Sequence, residues 1–388
     1  MKTAVLLSGG VDSSVALHLV KNREHVRAYY LKIWLEDEAS FLGNCPWEDD
    51  LAAARAVCEQ TGVELSIVPL QLAYYDSVVT YVLEELRDGR TPSPDIFCNQ
   101  RIKFGAFFEE IGDDVDQVVT GHYAWVRRFT DNWYHLFQAP DSIKDQTYFL
   151  SHVNQKQLSR LFFPLGNMHK HEVRSLARKL ALPNMDRPDS QGMCFLGNIK
   201  YPHFLKHYLG TVHGSIVEKE SGKVLGKHEG AWFYTIGQRK GLGLGGGPWY
   251  VVGKNSENTV YVSHQNEIHA AFHKRFICVN PNWIRGTEPT SLGEKEIRLK
   301  LRHGPKMIGC RLQPLVKPSV SGGGLGNSFA VHMKEGDKGI APGQFAVFYE
   351  GNECLGGAMI ERVILPDENI EGMDVKKAGI KECVENLL

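Results

Sequence analysis

The chain has 388 residues, of which 43% are hydrophobic and 23% charged, and its formal net charge is −1 at pH 7. At about 150 residues per domain, this length predicts two or three domains, and the balanced charge neither requires nor excludes a nucleic acid as partner. No apolar run is long enough to cross a bilayer, and the run after Met1 is too short for a secretory signal. We therefore expect a cytoplasmic protein without a membrane span.

Eight cysteines are scattered along the chain without a CxxC pair, at positions 45, 58, 98, 194, 278, 310, 354 and 383. Zinc and iron–sulfur centres need clustered thiols, so no metal site can be assigned. In a large intracellular protein the ordinary expectation is a reduced, buried thiol. A functional cysteine must therefore be identified by its neighbours.

The N-terminal half alternates between predicted strands and helices. Strands are predicted at 3–7, 26–34, 63–70 and 115–121, a turn opening into a helix at 8–20, and further helices at 48–62 and 74–89. This alternation predicts an α/β fold with a doubly wound, Rossmann-like parallel sheet that is covered on both faces. We assign it to residues 1–200.

Beyond about residue 200, short β-like runs are separated by glycines. Repeated short strands of this kind predict a small antiparallel β-barrel. We expect a small central domain at 201–272, a barrel domain at 273–365 and a tail at 366–388 without assigned function. The stretch 318–327, "PSVSGGGLGN", is typical of a hairpin excursion from the barrel.

One segment, 155–182, is strongly basic and contains a single acidic residue, Glu172. Its cations are Lys156, Arg160, Lys170, Arg174, Arg178 and Lys179. Two interpretations stay open at this point, a solvated helix face and a basic patch that faces phosphates.

The stretch "SGGVDSS", residues 8–14, joins the first strand to the first helix. Backbone N–H groups of such a glycine turn form an anion site, and the small polar residues can cap the helix. No GK[ST] follows, so this is not a Walker loop. An ordinary tight turn is the alternative. Because ligands bind at the carboxyl ends of parallel strands, residues 31–33 and 120–123 are expected near the same crevice.

The stretch "SPDIFCNQRIKF", residues 93–104, places Asp95 three residues before Cys98, ahead of a helix predicted to begin near Asn99. A negative Asp95 raises the pKa of Cys98, whereas a helix N-terminus lowers it, and the sequence leaves the balance open. From composition alone, an inert buried thiol is the favoured interpretation of Cys98 and equally of Cys194.

The glycine turn resembles the PP-loop of ATP pyrophosphatases, a group that includes argininosuccinate, GMP and NAD synthetases. Later motifs narrow the resemblance to the tRNA-specific 2-thiouridylases, in order from Lys2 to about Val363. These motifs are "SPDIFCNQRIKF", "TGHYA", "KDQTYFL", "DSQGMCFLG", "YTIGQRKGLGLGGGPWYVV" and "APGQFAVFYEGNECLGGAMI". The resemblance implies an ATP-dependent tRNA-uridine 2-sulfurtransferase, with residues 1–200 as its PP-loop ATP-pyrophosphatase catalytic domain and 201–272 as a small domain that contacts tRNA.

Such enzymes adenylate the C2 oxygen of the wobble uridine, position 34, and then replace it with sulfur, releasing AMP and pyrophosphate. The resemblance assigns ATP binding to Leu6, Leu7, Ser8, Gly9, Gly10, Val11, Asp12, Ser13, Leu31 and Gly121. Mg²⁺ is expected with ATP, with unknown ligands. A persulfide sulfur-donor protein is implied as a partner beside tRNA.

The resemblance also assigns the catalytic roles. Cys194 receives sulfur as a persulfide, Cys98 attacks it with formation of a transient Cys98–Cys194 disulfide, and Asp95 acts as general acid/base. Catalysis through sulfur needs a thiolate, and a nearby carboxylate can relay the proton. The other six cysteines keep the interpretation of inert thiols.

The tRNA contacts implied by the resemblance fall into two sets. The target base is assigned to Ser93, Pro94 and Asp95, and further contacts to His122, Lys144, Asp145, Gln146, Arg302, His303 and Gln344. Position 303 departs from the family pattern, in which tyrosine is common, and position 93 is often asparagine. Both departures bear on RNA binding and not on the chemistry.

Two alternatives remain for the function. One is another PP-loop ligase that adenylates a small molecule, although such an enzyme has no use for the two cysteines or a C-terminal barrel. The other is a non-catalytic RNA-binding protein, which would tolerate replacement of Cys194 by alanine.

Overall fold

A computed structural model describes residues 1–33, 47–189, 201–255, 257–264, 273–289, 296–315, 328–365 and 368–369. It contains a parallel α/β sheet, a small central sheet and a closed antiparallel barrel, which confirms the predicted fold class. Within these residues no helix is both long and apolar enough to cross a membrane.

The parallel sheet has five strands in the order β3-β2-β1-β4-β7. Their bounds are β1 Thr3–Leu6, β2 Val26–Lys32, β3 Leu65–Pro69, β4 Gln117–Val119 and β7 Leu161–Phe162. Alternate residues of β1 enter two separate cores, Ala4 and Leu6 on one face and Val5 and Leu7 on the other. Side chains of a strand alternate between faces, so the sheet is buried on both, as a doubly wound fold requires.

Helices cover both faces of this sheet. They are α1 Val11–Val20, α2 Trp47–Thr61, α3 Gln71–Tyr74, α4 Thr80–Arg87, α5 Pro94–Phe97, α6 Phe107–Ile111, α7 Gln155–Leu158, α8 Lys170–Lys179 and, after the sheet, α9 Tyr201–Leu209. Two π-helical segments, Tyr75–Val79 and Cys98–Ala106, make the helices before and after them continuous. Short 3₁₀ turns lie at Gly112–Asp114, Thr147–Leu150 and Ala231–Phe233.

The central domain is a four-stranded sheet in the order β10-β11-β8-β9. Its strands are β8 Gly214–Glu218, β9 Val224–His228, β10 Trp249–Lys254 and β11 Val260–His264. They enclose a small core of their own that includes Ile216, Trp249 and Val262. The predicted short strands between glycines are therefore present.

The barrel contains β12 His273–Trp283, β13 Ile297–Lys300, β14 Ile308–Pro314, β15 Ser328–Asp337, β16 Phe345–Glu350 and β17 Glu353–Val363. Pairing of β12 with β17 closes it, which leaves no free edge among these six strands. The hairpin excursion expected at 318–327 and nearly all of the tail lie outside the described residues.

The barrel sheet continues into the α/β domain, which the sequence did not indicate. The hairpin β5 Ala124–Arg128 and β6 Tyr134–Gln138 adds to it through β6 and β17, where Cys354 pairs with Leu136. The two domains therefore share backbone hydrogen bonds, and the barrel has a fixed position against the parallel sheet.

Candidate active site

The glycine turn after β1 has the geometry of an anion site. Gly9 has a φ of +76°, and a Cβ there would lie 2.3 Å from the carbonyl oxygen of Asp50. The Ser13 hydroxyl accepts a hydrogen bond from the N–H of Ser8 (3.2 Å) and donates to the carbonyl of Gly10 (3.0 Å). Gly10 is the N-cap of α1 and supplies no side-chain cap. The first N–H groups of a helix have no intrahelical partner, so these can bind an anion.

The turn after β4 lies directly against the glycine turn. A Cβ on Gly121 would be 2.7 Å from the backbone N of Ser13, so only glycine permits this approach. Leu6, Leu7 and Val11 are at most 8% exposed and could reach a nucleotide only through their main chain. Leu31 lies near the end of β2 and is half-buried.

A segment after α8 holds the glycine turn in place, and sequence reasoning missed it. The amide of Asn184 donates to the carbonyl of Gly9 (2.7 Å), and the guanidinium of Arg187 does the same (3.1 Å). Arg187 also pairs with Asp50 at 2.6 Å. The sequence carries no local signal for these contacts because about 175 residues separate Asn184 from Gly9.

Lys170 connects the glycine turn to a second carboxylate. Its ammonium lies 2.7 and 2.8 Å from the two oxygens of Asp12 and 2.8 Å from Asp189. The hydroxyl of Tyr123 donates to Asp12 as well (2.9 Å). Burial, followed by the charge of Asp12, raises the pKa of Tyr123 well above its usual range, so the hydroxyl keeps its proton.

Asp189 is surrounded by cations. Lys144 lies 2.7 Å from its carboxylate, and Lys170 and Arg174 contact the same group. Burial by itself raises the pKa of Asp189, but the hydrogen bonds from these cations outweigh it and hold the pKa well below the usual range. We call residues 8–14, 120–123 and 184–189 the glycine-turn side of the site.

Cys98 lies in the first turns of a helix that begins at Pro94, so the predicted start near Asn99 is wrong. Proline at the first helical position lacks only an N–H that would have no partner there, which explains the earlier start. Asp95 and Cys98 are three residues apart and therefore lie on one helix face. Cys98 is 2% exposed, and Asp95 is half-buried. Cys194, and with it the predicted disulfide, lies outside the described residues.

A turn of the barrel packs against the helix start. The N–H of Thr91 donates to the carbonyl of Pro342 (2.8 Å), and the rings of Phe97 and Phe345 meet edge to face at 5.6 Å. Gln344 lies in the chain between the two barrel residues that make these contacts, Pro342 and Phe345. We call residues 93–99, 149–152, 302–303 and 342–345 the thiol side of the site.

Three more predicted RNA contacts lie at or beside the thiol side. The N–H of Ser93 donates to the hydroxyl of Tyr81 (3.1 Å). Arg302 is exposed and pairs with Asp337 at 2.9 Å. His303 stacks on Phe149, with ring centroids 4.9 Å apart.

His122 belongs to the glycine-turn side and contacts the helix of the thiol side. Its Nδ1 is 2.7 Å from the hydroxyl of Thr120, and its ring packs against Phe104, which belongs to the helix of Cys98. Burial, and then the nearby charge of Lys103, lowers the pKa of His122, so the ring is neutral at physiological pH.

The segment Lys144–Phe149 reaches both sides of the site. Its first residue pairs with Asp189, and the amide oxygen of its third accepts the N–H of Tyr123 (3.0 Å). At its other end, Phe149 stacks on His303, and its carbonyl accepts a hydrogen bond from Asn99 (3.2 Å). A movement of this segment would therefore change contacts on both sides of the site.

Asp145 is fully buried within that segment. Lys300 of the barrel, itself 1% exposed, lies 2.7 Å from its carboxylate, and Thr147 and Gln138 also donate to it. In an apolar interior, either of these charges would destabilise the fold strongly if the other were absent. The Asp145 carboxylate thus links the catalytic domain to the barrel; its contact with tRNA stays a prediction.

Within the described ranges, no group of three or more His, Cys, Asp or Glu side chains is arranged to hold a metal ion. Asp12, the acidic residue of the glycine turn, already contacts Lys170 with both oxygens. The Mg²⁺ expected with ATP therefore still has no assigned protein ligand.

Family profiles match three consecutive parts of the chain. The profile of the tRNA methyl transferase HUP domain matches residues 1–198, that of the tRNA methyl transferase PRC-barrel domain 202–264, and that of the aminomethyltransferase beta-barrel domain 273–360.

Curated relatives match over nearly the whole length. The tRNA-specific 2-thiouridylase MnmA 2 of Bacteroides fragilis is 42% identical over 365 residues, which cover 93% of this chain and 100% of the relative. The tRNA-specific 2-thiouridylases MnmA of Parabacteroides distasonis and Porphyromonas gingivalis are 42% and 39% identical, each over 371 residues that cover 93% of this chain and 99% of the relative. The chain therefore belongs to the tRNA-specific 2-thiouridylase family.

Proposed function

We propose that this protein synthesises 2-thiouridine at the wobble position, 34, of tRNA, using ATP and a protein-bound persulfide. The observation that carries the proposal is the segment Lys144–Phe149, which connects an anion-binding glycine turn to the helix of Asp95 and Cys98. A small-molecule ligase would need the glycine turn but not a thiol on a helix that is closed over by a second domain.

ATP is needed because the C2 oxygen of uracil is a poor leaving group. In the proposed first step this oxygen attacks the α-phosphorus of ATP, and pyrophosphate leaves. The N–H groups at the start of α1 would hold the phosphates, and the main chain near Leu31 and Gly121 would contact the nucleoside. Mg²⁺, when bound with ATP, supplies positive charge to the phosphate oxygens.

Sulfur transfer follows in the second step. The Cys98 thiolate attacks Sγ of the Cys194 persulfide, the persulfide S–S bond breaks, and the outer sulfur leaves as hydrosulfide beside the activated base, so that a Cys98–Cys194 disulfide remains. Hydrosulfide adds at C2, and AMP leaves with the original oxygen. The Cys98–Cys194 disulfide must then be reduced by an external dithiol or by two thiols, which supply two electrons and become a disulfide themselves. Asp95, one helical turn before Cys98, is the proposed proton acceptor and donor.

The tRNA would bind where the barrel meets the catalytic domain. A base in an anticodon loop can be extruded at small cost, and aromatic rings suit stacking on it. Ser93, Pro94, Asp95, His122, Lys144, Asp145, Gln146, Arg302, His303 and Gln344 are the proposed contacts. A persulfide-carrying protein would load Cys194, and we place this reaction in the cytoplasm.

One incubation tests the proposal against both alternatives. The protein is mixed with ATP, a persulfide donor and unmodified tRNA, and the expected products are AMP, pyrophosphate and 2-thiouridine in the digested RNA. Small-molecule adenylation without thiolated RNA would instead indicate another PP-loop ligase. Tight tRNA binding without AMP formation would indicate a non-catalytic RNA-binding protein.

A further inference from the structure

The basic segment 155–182 divides into two groups in the structure. Arg178 and Lys179, at the end of α8, are exposed, as a solvated helix face predicts. Lys170 and Arg174, one turn apart at its start, face the glycine-turn side and contact Asp189. The interpretation as a solvated helix face therefore holds for the end of α8, whereas a phosphate-facing role of Lys170 and Arg174 stays a prediction.

Three cations converge on the single carboxylate of Asp189. They come from two elements, Lys144 from the segment before the 3₁₀ turn and Lys170 and Arg174 from α8. Their side chains are 14–36% exposed, and that of Asp189 is 31% exposed, so the cluster is open to solvent on one side.

Two of the three cations, Lys170 and Arg174, are also held in place by groups other than Asp189. The guanidinium of Arg174 also donates to the carbonyls of Met185 (3.1 Å) and Arg187 (2.6 Å). The backbone N–H of Lys170 donates to Asp141 (3.0 Å), and its ammonium contacts Asp12. Removal of the Asp189 charge would therefore leave Lys170 and Arg174 in position.

The carboxylate of Asp189 carries one negative charge and two oxygens. Three cations converge on it, so the positive charge exceeds the negative charge that this carboxylate supplies. A terminal phosphate carries more charge and three oxygens, and arginine and lysine are the side chains that bind it. The cluster is also adjacent to the glycine turn, because Lys170 contacts Asp12 in the first turn of α1. A polyphosphate whose one end lies on the N–H groups of α1 could therefore extend to these cations.

We propose that Lys144, Lys170 and Arg174 form a receptor for the outer phosphates of the nucleotide, and that Asp189 is an internal competitor for the same cations. This inference rests on the proposed use of ATP. Asp189 could then contact the three cations only while no nucleotide phosphate is bound to them. A purely structural ion-pair cluster is the alternative, and in that case Asp189 would orient the cations and support anion binding.

The two interpretations predict opposite effects of Asp189→Asn. Binding of inorganic pyrophosphate is measured by isothermal titration calorimetry on the full chain without tRNA, so that RNA contacts of Lys144 do not contribute. Loss of a competing ion pair of about 1 kcal/mol predicts an affinity about fivefold higher than in the wild type. If Asp189→Asn bound pyrophosphate with unchanged or lower affinity, Asp189 would not be a competitor for these cations.

Lys170→Met tests the receptor itself. Loss of a charge-assisted contact predicts a Kd for pyrophosphate about 10-fold higher, or more. Lys179→Met, on the exposed end of α8, and Asp113→Asn, exposed in the 3₁₀ turn Gly112–Asp114, are the matched controls and should bind as the wild type does. Circular dichroism identifies any variant that fails to fold. Wild-type binding by Lys170→Met would refute the receptor.

The outcome can be separated from that of the proposed function. If the wild type makes 2-thiouridine but Asp189→Asn does not bind pyrophosphate more tightly, the inference fails and the function stands. If the variants change pyrophosphate binding as expected but no 2-thiouridine forms, the receptor stands and the function fails.

Discussion

The two sides of the site are built in different ways. The glycine-turn side comes from one domain, and its central feature is a seven-residue stretch between a strand and a helix. The thiol side needs two domains, since residues 342–345 of the barrel pack on the helix that begins at Pro94. A local motif can thus fix an anion site, whereas the surroundings of the thiol depend on contacts between residues about 250 apart.

Replacement of the thiol should have the largest effect and should separate the two sides. Cys98→Ser is expected to abolish 2-thiouridine formation and leave ATP and tRNA binding within about twofold of the wild type, because a hydroxyl at this position is far less nucleophilic than a thiolate. Modified nucleosides are measured by mass spectrometry after nuclease digestion. Cys58→Ser, the same change at a buried cysteine of α2, is the control and should keep turnover. Normal thiolation by Cys98→Ser would exclude the proposed sulfur relay.

The next largest effect is expected on stability, from loss of the buried Asp145–Lys300 pair that links the two domains. Lys300→Met leaves the buried carboxylate of Asp145 without its cation and is expected to lower the free energy of unfolding by about 3–5 kcal/mol. The double variant Lys300→Met/Asp145→Asn removes both charges and should recover part of the loss. Denaturant unfolding measures all three proteins.

The exposed Lys306, which pairs with Asp337, provides the control for Lys300. Lys306→Met should change stability by less than about 1 kcal/mol, since surface ion pairs contribute little. In Lys300→Met, the KM for tRNA should rise more than the KM for ATP. Equal changes in both KM values would show that the link does not act on the thiol side in particular.

The glycine-turn side can be tested with two adjacent glycines. Gly9→Ala places a Cβ 2.3 Å from the Asp50 carbonyl at a φ of +76°, and we expect a loss of about 3 kcal/mol in unfolding free energy. Gly10→Ala meets only the Ser8 hydroxyl at 3.4 Å and should leave stability within about 1 kcal/mol of the wild type. Thermal unfolding compares them, and equal destabilisation would contradict the steric argument.

The comparison also shows what the sequence could and could not predict. Alternating strand and helix patterns and the glycine turn are local, so the fold class and the position of the anion site follow from them. Asn184 and Arg187 have no such pattern, and their contacts with Gly9 exist only because the chain returns to the first turn. The buried pair of Asp145 and Lys300 was missed for the same reason. Its two charged residues, 155 positions apart, look like surface residues when each is considered by itself.

Acid should loosen the thiol side, because His152 is buried there between Phe97 and Phe345. Burial, and then the charge of Arg101, lowers the pKa of His152 from 6.5 to about 3. Between these two values the unfolded chain binds more protons than the folded one, so the free energy of unfolding falls as the pH falls below 6.5. At pH 5 this costs about 2 kcal/mol.

His152→Gln should remove that part of the pH dependence. The difference in unfolding free energy between pH 7 and pH 5 is expected to shrink by about 2 kcal/mol relative to the wild type, measured in urea at both pH values. His171→Gln, a change on the exposed face of α8, should leave the difference as it is. His122, buried beside the glycine-turn side, has a lowered pKa for the same reason and adds a contribution of the same sign that both variants retain. An identical pH dependence in His152→Gln and the wild type would show that His152 protonates without opening the thiol side.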